Sequence, residues 1–360
     1  MSNKLTIIID SNYLLISRYS VLSKNFDKRL PEHAREAARE NLTDMMARSI
    51  VGILNKFPEA DNVILVRDGG SWRKQLKVPH IIKDVAYKGN RRLDENTDWN
   101  CVFGALDNII KRCDELGITV SNGLNAEGDD WIWYWSRMLN SQGTNVLIWS
   151  SDNDLKQLVS NGNAFTAWYN DRSGLFIHEN LIKRDINPLD FFMDPSIQPD
   201  QILESLVSHQ SIVERINPEA IMIDKIFLGD YADNIKPIVH VKRDSGRACN
   251  FTQKDLDLLK EDIALDCMND LLDHKKDVAD WIVKYSKFTK FKLKREDISE
   301  MLEYNIKLVW LNDHCIPSTL IQSMNECEYK TFDLKTIRSN YKMIIGDRKE
   351  EQYIADLFES

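Results

Sequence analysis

The sequence contains no long hydrophobic run. No segment approaches the roughly 18 consecutive apolar residues that cross a membrane, and residues 1–10 lead into a short strand-like pattern rather than a signal peptide. We therefore expect a protein without a membrane partner that resides in the cytoplasm.

Paired cysteines and zinc-type spacings are missing as well. The six cysteines lie far apart without a C-x-x-C pair, and the seven histidines show no zinc-finger spacing. There is also no glycine loop of the Walker type and no kinase signature. These absences argue against a disulfide scaffold, a cysteine–histidine zinc site and the common kinases, and they predict reduced thiols.

Basic residues are fewer than acidic ones, and the formal net charge is −9. A protein that coats nucleic acid without specificity needs a basic surface to displace counterions. The acidic balance argues against that class, but it agrees with a protein whose carboxylates bind cations.

A chain of 360 residues with 43% hydrophobic residues can bury a large core. Strand-like runs alternate with helical patterns, which predicts an α/β fold with a mostly parallel sheet flanked by helices. The strand-like runs are 5–9, 62–66, 146–149 and 164–169, and the helical patterns between them are 36–57, 101–116 and 129–139. We place this α/β core at residues 1–180 and a mainly helical region at 181–360, with helical patterns at 190–206, 212–227 and 254–286.

Acidic residues recur where a predicted strand has just ended or a predicted helix is about to begin. They are Asp10, Asp68, Glu127, Asp129, Asp130, Asp152, Asp154, Asp230 and Asp233. Each alone has an ordinary interpretation as a helix cap or a turn residue. The carboxyl ends of parallel strands meet at one edge of a sheet, however, so we expect several of these residues to converge there.

Converging carboxylates need a partner. Two of them about 4 Å apart repel by about 4 kcal/mol at an effective dielectric of 20, so the group must bind protons or cations. Ligands that are all oxygen favour magnesium or manganese over zinc. A pair of such ions suits phosphodiester hydrolysis, so the acidic residues indicate a nuclease.

Residues 68–100 begin with many cations and few acids. We interpret them as a basic bridge over the sheet, with a solvated charged loop as the alternative.

Six motifs, in this order and spacing, resemble the 5′ nuclease family, which includes flap endonucleases, the 5′ nuclease domain of bacterial DNA polymerase I and phage enzymes. They are Ile8-Ile9-Asp10, Arg67-Asp68, Tyr87-Lys88-Gly89-Asn90-Arg91, Glu127-Gly128-Asp129-Asp130, the segment 151–158 and the segment 229–234. They span residues 5–240, and within the family the chain is most similar to the T4-type phage ribonuclease H group. The resemblance implies a PIN-like 5′ nuclease core, a helical arch or bridge, and a C-terminal helical region with a helix-three-turn-helix-like DNA clamp near 224–250.

The resemblance also implies roles for individual residues. A first metal site would contain Asp10, Asp68, Glu127, Asp129 and Asp152, and a second would contain Asp130, Asp154, Asp230 and Asp233. Two Mg²⁺ ions, with Mn²⁺ as a substitute, would occupy them. Lys88 and Arg91 would contact the scissile phosphate, and Tyr87 would stack on a base.

Further cations would bind nucleic acid. Arg73, Lys74, Lys77, Lys83 and Arg92 would guide a single strand. The family's duplex clamp often binds potassium through a glycine-rich hairpin, which this sequence lacks. The sequence therefore leaves potassium open, and Lys236, Lys242 and Arg243 are expected to contact duplex phosphates instead.

The function implied is that of a 5′-3′ exonuclease on RNA–DNA and DNA–DNA duplexes, with ribonuclease H activity for removing RNA primers, and of a flap endonuclease in replication and repair. Expected partners are branched or nicked DNA with a 5′ end, a single-stranded DNA-binding protein, and a sliding clamp that would bind the tail 353–360. An ordinary last helical turn is the alternative for that tail. A monomer is expected, in the host cytoplasm if a phage encodes it.

Two other interpretations stay open. A PIN-like ribonuclease shares a carboxylate-lined α/β core, but it gives no reason for the basic bridge or for Asp230 to Asn234. A catalytically silent binder of DNA junctions would be expected to have lost carboxylates, and the principal positions are all occupied here.

Overall fold

The computed structural model describes residues 4–82, 86–162, 164–181, 201–208, 210–243 and 245–345. The chain divides into two compact units. The first comprises residues 1–70, 93–216 and 322–360, and the second comprises residues 71–92 and 217–321.

The first unit is built on a mixed, mostly parallel sheet. Its strands are β1 (Leu5–Asp10), β2 (Asn62–Val66), β3 (Thr119–Ser121), β4 (Asn145–Trp149), β5 (Ser160–Asn161), β6 (Phe165–Asn170), β7 (Gly174–His178) and β8 (Val213–Ile216). Their order is β3-β2-β1-β4-β6-β7-β8, with β5 paired to β6. The pairs β5–β6 and β6–β7 are antiparallel, and the others are parallel. This confirms the predicted fold class.

In the described residues the α-helices are, in chain order, α1 (Ser11–Leu22), α2 (Glu32–Lys56), α3 (Trp99–Glu115), α4 (Gly128–Ser141), α5 (Gln201–Ser208), α6 (Pro218–Leu228), α7 (Gln253–Ile263), α8 (Met268–Asp273), α9 (Lys275–Lys284), α10 (Arg295–Val309), α11 (Ser318–Met324), α12 (Leu334–Ser339) and α13 (Lys342–Ile345). Short 3-10 helices lie at Ser23–Phe26, Trp72–Gln75, His80–Ile82, Asn153–Leu158 and Thr289–Phe291. No helix among these described segments is long and apolar enough to span a membrane.

The central strands are apolar on both faces because helices cover both sides of the sheet. Ile7, Ile8 and Ile9 of β1 are all fully buried, as expected for a covered parallel sheet. The last described segment of the chain returns to this unit, where Leu334, Ile337 and Ile344 join the same hydrophobic core. The six cysteines are free thiols, as predicted.

The second unit is mainly helical. Helices α6 to α10 surround a core that includes Ile223, Leu256 and Leu302, and Ile82 and Tyr87 from the segment 71–92 belong to the same core. A two-stranded antiparallel hairpin, β9 (His240–Lys242) with β10 (Ala248–Asn250), lies between α6 and α7.

The predicted boundary at residue 180 differs from this division for two reasons. The sheet continues to β8 at residues 213–216, and the part of the basic bridge at 71–92 buries apolar side chains in the helical unit rather than in the α/β unit. The described part of 71–92 contains two short 3-10 helices rather than long arch helices.

Two helical patterns also need correction. The pattern at 212–227 is a strand followed by α6, because Asn217 caps the helix and Pro218 occupies its first turn. The pattern at 254–286 is three helices, the first of which ends at Ala264 with a left-handed φ of +52°. In the pattern at 190–206, residues from 201 onward form α5, and the rest lies outside the described residues.

Candidate active site

Three strands of the first unit end together at one edge of the sheet. Strand β1 is parallel to both β2 and β4, and the register pairs Asp10 with Val66 and Ile9 with Trp149. Asp68 therefore follows β2, and Asp152 follows β4, at the same edge as Asp10. Asp10, Asp68 and Asp152 are called the carboxylate cluster below.

Asp10 is the best-defined member of the carboxylate cluster. It caps α1, since its Oδ1 accepts the N–H groups of Asn12 and Tyr13, each at 3.0 Å. Its Oδ2 accepts a hydrogen bond of 2.6 Å from Ser150 Oγ. Burial raises the pKa of Asp10 to about 6, helped by the charges of Asp68 and Asp152 and opposed by the hydrogen bonds from Ser150 and Tyr13.

Asp68 is held by the beginnings of two helices. Its Oδ1 accepts the Gly128 N–H of α4 at 2.6 Å, and its Oδ2 accepts a hydrogen bond from the Asn12 side-chain amide of α1. A Cβ atom at position 128 would lie only 3.1 Å from Asp68 Oδ1, so glycine allows this close approach. The N–H groups at a helix start carry partial positive charge, which stabilises the carboxylates.

Asp152 is tied to Asp10 through Ser150. The Asp152 N–H donates to Ser150 Oγ at 3.0 Å, and Asp152 Oδ1 accepts the Asp154 N–H at 2.9 Å. Ser150 is fully buried, so its hydroxyl serves these two carboxylate residues and not solvent. Ser150 and Asn12 were not predicted from the sequence, where their signal is that each lies two positions from a predicted ligand, Asp152 or Asp10.

The acidic residues at the start of α4 form a capping box. The Asp130 carboxylate accepts the Glu127 N–H at 3.0 Å, and Glu127 in turn accepts from the backbone of Asp130. Asp130 is fully buried and Glu127 nearly so, whereas Asp129 and Asp154 are partly exposed. Glu127, predicted for the first metal site, and Asp130, predicted for the second, therefore also cap α4.

The donor set fits a hard divalent cation, because every predicted ligand in this unit is a carboxylate oxygen. Among the described residues, no three Asp, Glu, His or Cys side chains converge closely enough to enclose a metal ion by themselves. A cation bound at the carboxylate cluster would therefore complete its coordination with water or with small side-chain movements.

Asp230, in the second unit, lies in a tight turn and has a cation beside it. Its Oδ2 is 2.8 Å from Lys225 Nζ, and its Oδ1 accepts the Ala232 N–H at 2.7 Å. Burial would raise the pKa of Asp230, but the hydrogen bonds from Lys225 and the turn, with the Lys225 charge, outweigh it and lower that pKa.

Asp233 contacts the predicted catalytic residues of the same unit. Its carboxylate lies against Tyr87, Lys88 and Arg91. Tyr87 is 6% exposed and packs in the hydrophobic core, so its ring is not available for the base stacking that the sequence suggested. Tyr87, Lys88, Arg91 and Lys74 also line a cleft of about 310 Å³.

The residues predicted to contact nucleic acid differ in how exposed their side chains are. Arg73 is 2% exposed, and its Nε donates to the Leu308 carbonyl at 3.2 Å, so it supports the second unit instead of facing a strand. Exposed side chains at the remaining positions are Lys74, Lys77, Arg92, Lys242 and Arg243, whereas Lys236 is partly buried and donates to Asn234 Oδ1 at 3.0 Å. Lys83 and the tail 353–360 lie outside the described residues.

The predicted duplex clamp is α6, a tight turn, the β9–β10 hairpin and α7. Gly229 ends α6 with φ +74°, and a Cβ there would lie 2.4 Å from the Ile235 carbonyl oxygen. Only glycine fits this turn without rearrangement. The hairpin places Lys242 and Arg243 near its exposed end.

Comparison with protein families and with curated proteins finds similarity to 5′-3′ exonucleases. A family model described as the 5′-3′ exonuclease N-terminal, resolvase-like domain matches residues 5–185, which is half of the chain. A 5′-3′ exonuclease of Mycoplasmopsis pulmonis is 25% identical over 235 residues, which are 65% of this chain and 62% of that protein. The match thus spans less than two thirds of that curated relative.

Solved structures of phage T5 enzymes share the fold. The T5 5′-exonuclease with bound zinc ions matches with a TM-score of 0.55 and 14% identity, over 93% of this chain and 100% of that one. The bacteriophage T5 flap endonuclease in a pseudo-enzyme-product complex with DNA and metal ions matches with a TM-score of 0.54 and 14% identity, over 95% of this chain and 99% of that one. These structures show a shared fold, and the family model, which matches half of the chain, establishes that the chain belongs to the 5′-3′ exonuclease family.

Proposed function

We propose that this protein is a metal-dependent 5′ nuclease that acts both as a 5′-3′ exonuclease on RNA–DNA and DNA–DNA duplexes and as a flap endonuclease. Removal of RNA primers during replication and repair is the role that we assign to it. The observation that carries the proposal is the carboxylate cluster at the end of β1, β2 and β4, where burial and two neighbouring carboxylates raise the pKa of Asp10 to about 6.

Such a cluster favours divalent cations because they offset its repulsion. We propose Mg²⁺ as the ion, with Mn²⁺ as a substitute and with two ions in the active enzyme. A pair of bound ions would supply an activated water and stabilise the leaving oxygen. The T5 relatives support the proposal, since two of their structures contain metal ions.

The residues of this chain would hold and orient that pair. Asp10 and Asp68 have both carboxylate oxygens fixed by hydrogen bonds, so little ordering remains when an ion binds. Glu127, Asp129 and Asp152 would complete the first site. Asp130 and Asp154 would orient the water shell of the second.

Cations in the second unit would bind the nucleic acid. Lys88 and Arg91 would offset the charge that builds up on the phosphate during hydrolysis. Lys242 and Arg243 at the β9–β10 hairpin would contact duplex phosphates, which position a protein without reading sequence. Branched or nicked DNA with a 5′ end is the proposed substrate class, and a single-stranded DNA-binding protein and a sliding clamp remain proposed partners.

A cleavage assay tests this function. The substrates are a 5′-labelled nicked duplex with a 5′ flap and the same duplex with an RNA primer, each incubated with Mg²⁺ or with EDTA. We expect short 5′ products that require Mg²⁺ and that disappear in Asp152→Asn. Asp44→Asn, which changes a partly exposed carboxylate paired with Arg48 on α2, is the matched control and should cleave like the wild type.

Other results would favour other functions. Tight binding of both substrates without cleavage in Mg²⁺ or Mn²⁺ would indicate a silent junction binder. Cleavage of free single-stranded RNA alone would indicate a PIN-like ribonuclease.

A further inference from the structure

The carboxylate of Asp233 is surrounded by the residues to which we assign phosphate binding. Its Oδ1 accepts a hydrogen bond from the Arg91 guanidinium. Its Oδ2 accepts from the Tyr87 hydroxyl at 3.4 Å and lies 3.8 Å from Lys88 Nζ. The Lys88 N–H also donates to the Asp233 carbonyl oxygen at 2.9 Å. One aspartate thus contacts three residues of the segment 87–91.

The contacts with Tyr87 and Lys88 are made in a protected place, whereas the Arg91 side chain is 55% exposed. The Asp233 side chain is 9% exposed and that of Lys88 is 13% exposed. Lys88 has a left-handed φ of +54°, a conformation in which a Cβ atom is crowded by the backbone. A residue keeps such a backbone only when its surroundings fix it. The backbone and side-chain contacts with Asp233 supply part of that constraint.

The turn that carries Asp233 is itself rigid. Asp230 and Ile235 exchange two backbone hydrogen bonds of 2.9 and 2.7 Å. The Asp230 carboxylate accepts the Ala232 N–H, and Asn234 donates from its side chain to the Ala86 carbonyl at 2.9 Å. Asp233 is therefore presented to Lys88 and Arg91 in one orientation.

We propose that Asp233 is a positioning residue for Lys88 and Arg91, and not a ligand of the second metal ion. A carboxylate between two cations reduces their mutual repulsion and holds both in a fixed geometry. This inference rests on the proposed function only in the assignment of Lys88 and Arg91 to the phosphate.

A positioning residue and a metal ligand predict different effects of Asp233→Asn on Mg²⁺ binding and on the recovery of kcat at high Mg²⁺. Without the negative charge, Lys88 and Arg91 attract phosphate at least as strongly but are no longer held in one geometry. We expect kcat to fall at least tenfold, while KM and the Kd for uncleaved flap DNA in EDTA stay unchanged or decrease. Mg²⁺ affinity, measured by calorimetric titration, should equal that of the wild type, and added Mg²⁺ should not restore kcat.

A double-mutant cycle separates positioning from a general effect on folding. If Asp233 acts in part through Arg91, Asp233→Asn should lower kcat by a smaller factor in the Arg91→Ala background than in the wild type. Asp224→Asn, which removes a half-exposed carboxylate from α6 in the same unit, is the matched control and should retain kcat. Hydrogen exchange should be faster at residues 86–91 in Asp233→Asn than in this control.

Weaker Mg²⁺ binding in Asp233→Asn, with kcat regained at high Mg²⁺, would overturn the inference in favour of a metal ligand. Additive losses in the cycle, or a wild-type kcat, would overturn it as well. If the wild-type protein cleaves none of the substrates, the proposed function fails, and the Mg²⁺ titration and hydrogen exchange still decide the role of Asp233.

Discussion

Ser150 joins two carboxylates of the cluster through a single hydroxyl group. It donates to Asp10 and accepts from the Asp152 backbone, and it is fully buried. A buried hydroxyl with two partners stabilises both of them, and its removal leaves an acceptor without its donor. Ser150 is therefore expected to set the geometry in which Asp10 and Asp152 receive a cation.

For Ser150→Ala we expect the Mg²⁺ concentration for half-maximal activity to rise several-fold and the free energy of unfolding to fall by about 1–3 kcal/mol. Metal titration and urea unfolding measure the two effects. Ser141→Ala, an exposed serine at the end of α4, is the control and should leave both quantities unchanged. A wild-type Mg²⁺ response in Ser150→Ala would contradict this role.

Asp10 should make the metal-free protein sensitive to pH. Its folded-state pKa of about 6 lies above the ordinary value of 3.8. The stability that its protonated form provides is fully present below the unfolded pKa, and it is lost as the pH rises through about 6. A difference of about 2 pKa units corresponds to about 3 kcal/mol at most.

We therefore expect metal-free Asp10→Asn to be more stable than the wild type above pH 6, by up to about 3 kcal/mol. The two proteins should converge towards pH 4. Saturating Mg²⁺ should reverse the order, since the wild type alone gains a full binding site. Thermal unfolding in EDTA and in Mg²⁺ across this pH range is the measurement, and equal stability of the two metal-free proteins at pH 8 would refute it.

At the residue scale, the sequence predicted the members of the carboxylate cluster but not what holds them. Asp10, Asp68 and Asp152 stood out because each follows a strand. The roles of Ser150, Asn12 and Gly128 depend on contacts between residues that lie 56 to 140 positions apart, as in the hydrogen bond from Asn12 to Asp68 and that from Ser150 to Asp10. A single sequence does not show which residues far apart in the chain contact each other in the fold.

At the scale of elements, the start of α7 combines a capping box with an ion pair between a buried aspartate and a partly exposed lysine. The Asp255 carboxylate accepts from the Thr252 N–H at 2.8 Å and its hydroxyl at 2.7 Å, and it pairs with Lys287. Burial would raise the pKa of Asp255, but these hydrogen bonds and the Lys287 charge outweigh it and lower that pKa. The stability gained is present above the unfolded pKa and is lost as the pH falls through the folded one.

Asp255→Asn should accordingly lower the free energy of unfolding by about 1–3 kcal/mol at pH 7. The loss should shrink in acid, where the wild-type carboxylate becomes protonated too. Chemical unfolding at pH 7 and at pH 3 measures it. Asp257→Asn, an exposed carboxylate on the same helix, is the control, and an equal loss in that variant would argue against the cap.

Elements with a strong pattern were predicted well, and short ones were not. Strand β2 was placed at its observed bounds, and β1, β4 and β6 within one residue, since their apolar runs are continuous. The other strands were missed, namely β3, β5, β7, β8, β9 and β10. β3 has only three residues, and β8 is an edge strand whose central residues, Glu214 and Arg215, are exposed. An edge strand buries little, so its sequence carries little apolar signal.

At the scale of the whole molecule, the net charge of −9 has to be reconciled with the proposed binding to DNA. The reconciliation that we propose is local: exposed cations such as Lys242 and Arg243 meet phosphates while the acidic groups bind metal. Each phosphate contact releases condensed counterions, so the affinity falls with salt.

Lys242→Ala should weaken binding to uncleaved duplex DNA about equally for every sequence. The slope of log affinity against log salt should decrease in magnitude by about 1. Fluorescence anisotropy in EDTA at several salt concentrations measures this slope. Lys111→Ala, an exposed cation on α3 of the other unit, should leave it unchanged, and an unaltered slope in Lys242→Ala would remove the hairpin from the DNA-binding surface.

Division into units was the least predictable property of the chain. We expected one boundary at residue 180, whereas the segment 71–92 belongs with residues 217–321. Ile82 and Tyr87 share a core with Ile223, more than 130 positions later. Apolar residues in a basic segment indicate that the segment packs into a hydrophobic core, but they do not indicate which of the two cores it joins.

The return of the last described segment to the first unit has a consequence for biosynthesis. Arg338 donates to the carbonyl oxygens of Phe57, Pro58 and Ala60, and Arg112 donates to that of Met343. On a ribosome, the carboxylate cluster is synthesised by residue 152, yet the helices that close its hydrophobic core emerge almost 200 residues later. A nascent chain would thus carry the carboxylate cluster long before this hydrophobic core could be completed, and a prematurely terminated product would lack the segment that completes it.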